Sequence, residues 1–166
     1  MEKHLLPLVL ILFFMLNACK KDKQVSVTGI SSVKSVSVWH AVNTRTGFKP
    51  LATKDTLFII GQNGEENIVI AVKQKGTGTY GPAEIKAWFF TTIGLDVVVS
   101  KYQLEADAGN AVVITAYDVP NHTLKGTFNL SFRNTYKNYA SIPDAVKFTN
   151  GVINTQLSVV FMDPYR

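Results

Sequence analysis

Leu124-Lys125-Gly126-Thr127-Phe128-Asn129-Leu130-Ser131-Phe132 is the stretch that decides the fold. Phe128, Leu130 and Phe132 line one face, while Thr127, Asn129, Ser131 and Arg133 line the other. A strict period of two is the mark of a strand with one face in a core and one in water. Upstream, Ala111 to Tyr117 reads as a strand that runs into the turn-rich Asp118-Val119-Pro120-Asn121-His122. Downstream, a polar and less regular stretch from Asn134 to Asp144 precedes one or two closing strands in Val146–Phe161, around Asn150-Gly151.

The same texture extends toward the N-terminus. Ile85–Thr92 and Leu95–Leu104 are β-rich in residue type. Leu57–Ile60 and Ile68–Val72 flank Asn63-Gly64, a pair that accepts the positive φ angles of a hairpin turn. The residues around that pair imply a somewhat longer loop. Gly76 to Pro82 holds three glycines and a proline and is expected to break the chain. Val36, Val38 and Val42 are predicted to share one strand face, with Ser35, Ser37, Trp39 and Ala41 on the other. No segment has a convincing helical period. The expectation is an all-β domain, a single antiparallel β-sandwich or flattened barrel of about eight to ten strands.

The first residues read differently. Met1-Glu2-Lys3-His4 is followed by an apolar run from Leu5 to Leu16, too short to span a bilayer but suited to a secretory signal. Leu16-Asn17-Ala18-Cys19 resembles a bacterial lipobox, with the larger Asn17 as its departure. The resemblance implies a signal peptide over residues 1–18, cleavage between Ala18 and Cys19, and lipidation of Cys19. Cys19 is the only cysteine, so lipidation also explains an unpaired thiol in an exported chain, and no disulfide supports the core. Residues 19–25, the lipidated cysteine and Lys20-Lys21-Asp22-Lys23-Gln24 included, then form a polar tether, and residues 26–166 the antiparallel β domain. The address is the cell envelope, lipid-anchored at the outer membrane, on the periplasmic face or the cell surface. Two or three acyl chains give stable anchoring where one is marginal.

Removal of residues 1–18 leaves 148, one domain's worth. The net charge of +5 is unchanged, because that segment holds one Lys and one Glu. The lysines are scattered, so the charge reads as solvation, and no nucleic-acid partner is expected.

The segments Ile114-Thr115-Ala116-Tyr117-Asp118, Leu124-Lys125-Gly126-Thr127-Phe128-Asn129-Leu130 and Val146 to Ile153 occur in a recognisable order. Together they resemble a family of small uncharacterised Bacteroidota lipoproteins known as domain of unknown function 6252. The likeness is densest over residues 110–153, with Ala41-Val42-Asn43 and Gly78-Thr79-Tyr80 also fitting. Ile153 stands where the family commonly has an aromatic, and Trp88-Phe89-Phe90 falls in a variable region. The resemblance implies an exported all-β lipoprotein and brings no catalytic residues.

Chemistry-bearing residues are sparse. His40 and His122 are the histidines beyond the signal, and a structural or solvated role is favoured for each over a catalytic base. There is no Gly-x-Ser-x-Gly turn and no His-Glu-x-x-His pair. Asp118 with Asn121 reads as turn chemistry before a calcium site. No catalytic residue, metal or cofactor is therefore expected. Among the aromatics, Trp39, Trp88, Phe89 and Phe90 are considered for stacking on a sugar ring. Alternation puts Trp88 and Phe90 on one side of a strand and Phe89 on the other. Trp88 and Phe90 are thus the candidate ligand-binding pair, against the favoured alternative of a strand buried on both faces. Asp55-Thr56-Leu57 matches a triplet for O-glycosylation at Thr56. The expected molecule is a non-catalytic binding or structural module, its partners the membrane through the lipid and a glycan or envelope protein. A secreted hydrolase or glycan-binding surface protein is the alternative.

Overall fold

The computed structural model describes residues 29–48, 56–73, 75–107, 109–118 and 120–157. The signal segment, Ala18, Cys19 and the tether lie outside the described residues. Among the described residues, eleven antiparallel strands follow one another: β1 (Gly29–Lys34), β2 (Ser37–His40), β3 (Asn43–Phe48), β4 (Thr56–Asn63), β5 (Glu66–Lys73), β6 (Gly78–Tyr80), β7 (Ile85–Ile93), β8 (Val97–Leu104), β9 (Ala111–Asp118), β10 (Thr123–Lys137) and β11 (Ala145–Gln156). A 3-10 turn at Pro82–Glu84 precedes β7.

The spatial order is β2-β1-β11-β10-β8-β7-β5-β4-β3, with β9 on β10 and β6 on β9. This is the all-β antiparallel architecture expected from the sequence. The chain passes from one end of the sheet to the other in a single step. The Ala41 N–H donates to Ile30 O at 2.8 Å, and the next residue, Val42, donates to Gln62 O at 2.7 Å. One bent segment thus extends the β1–β2 ladder and then the β3–β4 ladder, the way sandwiches turn corners. Thr155 of β11 lies 3.4 Å from the hydroxyls of both Thr44 and Thr46 on β3.

Between the two walls the aromatic side chains interlock. Phe148 meets Trp39 edge-on at 5.7 Å between ring centroids, Phe89 at 5.2 Å and Phe132 at 5.7 Å. Phe128, Leu130 and Phe132 are all buried, as their alternation predicts.

Two local readings change, those of Asn63-Gly64 and Gly76–Pro82, and two that the sequence left open are decided. Trp39 faces the core at 1 % exposure, while Val38 is 68 % exposed, so the valine face of β2 is the outer one. Burying the indole outweighs burying Val38 on this edge strand. Asn63-Gly64 makes a tight turn, since Asn63 pairs directly with Glu66 and Gly61 and Gln62 belong to β4. The Gly76–Pro82 break contains the short strand β6, pinned by Tyr80, whose buried hydroxyl donates to Gly76 O at 2.6 Å. Asn150-Gly151 is no turn but a bulge within continuous β11. Asn150 has φ of 52°, and its N–H donates to Asn129 Oδ1 at 3.0 Å.

Candidate functional site

β10 is long enough to serve two partners on one edge. Its first half pairs with β9 through Asn129, and its second half with β8 from Phe132 onward. The junction at Ser131 is stitched by Asn110, from the loop between β8 and β9. Asn110 is buried; its Oδ1 accepts from Ser131 N–H at 2.7 Å, and its Nδ2 donates to Glu105 O at 2.7 Å. Asp107 of the same loop accepts from Gly109 N–H at 2.8 Å and from the Ser131 hydroxyl at 3.2 Å. These bonds, the backbone one first, hold its carboxyl below the usual carboxylate range, and Lys147 adds to the effect.

The splitting of the sheet leaves a trough across β7, β8 and β10. One depression of about 570 Å³ is bounded by Trp88, Lys86 and Pro82 on one side and Gln103–Ala106 on the other. A second shares Gln103–Ala106 and continues to Asp107, Arg133 and Thr135. Register explains the lining. Trp88 pairs with Gln103, and Gln103 with Arg133, so an indole, an amide and a guanidinium stand in one row on three neighbouring strands. Directly paired residues share a face. Arg133 is oriented by Glu105, Nε to Oε1 at 2.9 Å. The adjoining row is Phe90, Lys101 and Tyr136.

Phe89 lies in the core, while Trp88 and Phe90 occupy the outer face, half-buried. Beside them on β5, Val69 and Ala71 are buried although they too face outward. β5 is therefore covered on both sides, with Trp88 paired beside Val69 on the outer one. Trp39 and Phe89, being core residues, are removed from the set considered for stacking. Gln103, Glu105 and Arg133 were not singled out from sequence, because their juxtaposition depends on strand order.

The remaining candidates stand apart. His40 ends β2 and is exposed; His122 is exposed in the β9–β10 turn with φ of 52°. Asp118 accepts from Asn121 Nδ2 at 2.7 Å and from its N–H at 3.0 Å, the hydrogen bonds of a turn. Among the described residues no group of three or more His, Cys, Asp or Glu is placed to hold a metal. Thr56 opens β4 half-buried opposite Lys73, and Asp55 of its triplet lies outside the described residues.

An all-β, antiparallel domain with an outer trough is the class that this geometry defines. The chain belongs to the family described as a domain of unknown function (DUF6252), whose model matches residues 26–155. No curated protein and no solved structure matches it.

Proposed function

We propose that this chain is a lipid-anchored envelope protein, fixed through Cys19, whose β domain is a non-catalytic binding module. The trough across β7, β8 and β10 is its ligand surface and a glycan the ligand class. The observation that carries the reading is the row Trp88–Gln103–Arg133. A pyranose ring offers apolar C–H groups on one face and hydroxyls at its edge. An indole beside an amide and a charge-paired guanidinium complements both. The carboxylates of the trough are already committed, Glu105 to Arg133 and Asp107 to Gly109 and Ser131, which suits orientation rather than acid–base chemistry.

The test is a glycan array with the purified exported chain and its Gln103→Ala and Arg133→Ala variants. Both residues are exposed, so their replacement is expected to leave the melting temperature nearly unchanged while weakening binding at least tenfold. Equal binding by the wild type and both variants would remove the trough as the site. Trp88→Ala is a poorer probe, because Trp88 is also paired beside the buried Val69 of β5.

A further inference from the structure

Six of the nine exposed large apolar side chains among the described residues gather at one end of the sandwich; Val38, Val42 and Val152 lie on β2, at the β2–β3 corner and on β11. Val36, in the turn between β1 and β2, is 97 % exposed. Ile93, Leu95 and Val97 surround the β7–β8 turn, and Leu95 is 64 % exposed. Tyr136 and Tyr139 are exposed where β10 gives way to the loop before β11. The ladder bonds place these turns around a single rim. Ser35 N–H donates to Lys147 O at 2.7 Å, and Asn138 N–H to Val99 O at 3.0 Å. Gly94 N–H donates to Glu65 Oε1 at 2.6 Å, and Glu66 pairs with Lys34, which closes the circuit.

Leu95 is also held at φ of 70°, a conformation that a branched aliphatic residue rarely adopts and that glycine or asparagine takes easily. An exposed, strained leucine gains little from the core, and such an outlier points to a contact outside the domain.

We infer that this rim seats on a lipid bilayer surface, with Val36, Ile93, Leu95 and Val97 at the level of the acyl boundary and the two tyrosines among headgroups. Three features favour lipid over a protein groove. The aliphatic residues stand on two hairpin turns, β1–β2 and β7–β8, rather than on one flat face. Tyrosines flank them, as at membrane interfaces, where a ring with a polar tip sits at the headgroup level. The chain from Cys19 to Gly29 has a contour length of about 33 Å, and β1 between Gly29 and the Val36 turn spans only about 20 Å. The tether is therefore long enough for a lipid at Cys19 to lie in the plane of the rim. Asp96, between Leu95 and Val97, limits the depth to a shallow seat. The inference rests on the lipid-anchor reading for its proximity to the membrane.

The test uses the full exported chain reconstituted in phosphatidylethanolamine and phosphatidylglycerol vesicles. Leu95→Cys and, at the far end of the domain, Lys125→Cys each carry an environment-sensitive fluorophore, with identically treated wild type as baseline. The expected result is emission from position 95 that is shifted to shorter wavelength and at least halved by brominated acyl chains, with position 125 unaffected. Emission from both positions typical of water, on protein that floats with the vesicles, overturns the seat and leaves the anchor standing. Emission typical of water on protein that does not float overturns both. A shift at position 95 that ignores brominated chains and disappears on dilution identifies a second copy as the occupant and also overturns the inference.

Discussion

The ring of Phe128 lies directly on Gly151, its cross-strand partner, so closely that a Cβ at position 151 would stand 2.5 Å from ring carbons. Both residues lie within residues 26–155, the span that the family model matches. Position 151 carries glycine because a core aromatic occupies the space a side chain would need. Gly151→Ala must displace Phe128 from the packed core. Overpacking of this kind costs about 1–3 kcal/mol, which for a domain of this size lowers the melting temperature by about 3–10 °C. Calorimetry on Gly151→Ala and on Gly151→Ala with Phe128→Leu checks it, since the smaller partner is expected to recover part of the loss.

A second prediction concerns Asn110, whose side chain replaces the missing strand neighbour at the split in the sheet. Asn110→Ala leaves the Ser131 N–H and the Glu105 carbonyl without these bonds. An unsatisfied buried group costs about 1–3 kcal/mol, so a loss of about 2–4 kcal/mol in urea denaturation is expected. Hydrogen exchange adds a local reading, with the Ser131 amide losing protection before the amides of β11. An unchanged Ser131 exchange rate would show that Asn110 does not hold the junction.

The strands themselves were legible because burial writes itself into alternation. Phe128, Leu130 and Phe132 face the core as their spacing requires, and Phe89 separates from Trp88 and Phe90 in the same way. What was not legible depends on partners distant in sequence. The β2 segment offers valines on one face and Trp39 on the other, and only the tertiary position of the Trp39 pocket decides which turns inward. Asn-Gly is ambiguous by itself: at 63–64 it begins a tight turn, and at 150–151 it makes a bulge, because Asn129 lies across the ladder to accept the Asn150 N–H. Asn134–Lys137 looked irregular but continues β10, since a bulge opposite Lys101 and Tyr102 interrupts the alternation. Of the trough, Trp88 was visible as an unusual residue. Its row with Gln103 and Arg133 was not, because strand order alone brings those three positions together.

Acid should weaken the domain, and the sign follows from the carboxylates. Asp144 is held below the usual range mainly by its hydrogen bond from Lys137, Asp118 by the Asn121 side chain, and Asp107 by the Gly109 N–H. A folded pKa below the unfolded one contributes stability at neutral pH, and that contribution is lost as pH falls through the folded value. The melting temperature is expected to hold steady above about pH 5 and to fall below about pH 4, where carboxylates protonate. Asp118→Asn and Asp107→Asn should each flatten that acid limb, read by thermal scans from neutral pH downward. A melting temperature that rises on acidification would contradict the sign.

Leu95 offers a substitution predicted to improve the fold while harming the proposed membrane contact. Its φ of 70° places a bulky side chain where most L residues, Asn and Asp least, pay a steric penalty that glycine escapes, of about 1–2 kcal/mol in the left-handed region. Nothing is recovered from burial, since the side chain is mostly in water. Leu95→Asn keeps the turn, relieves the strain and removes the apolar tip. It is expected to raise stability by about 0.5–1 kcal/mol in denaturant titration. In the vesicle experiment, a chain carrying Leu95→Asn and a probe at Ile93→Cys should lose most of the lipid quenching that the same probe shows with Leu95 intact. Stability and lipid contact moving in opposite directions would tie the strained leucine to the membrane. A loss of both would instead make Leu95 an ordinary part of the turn's packing.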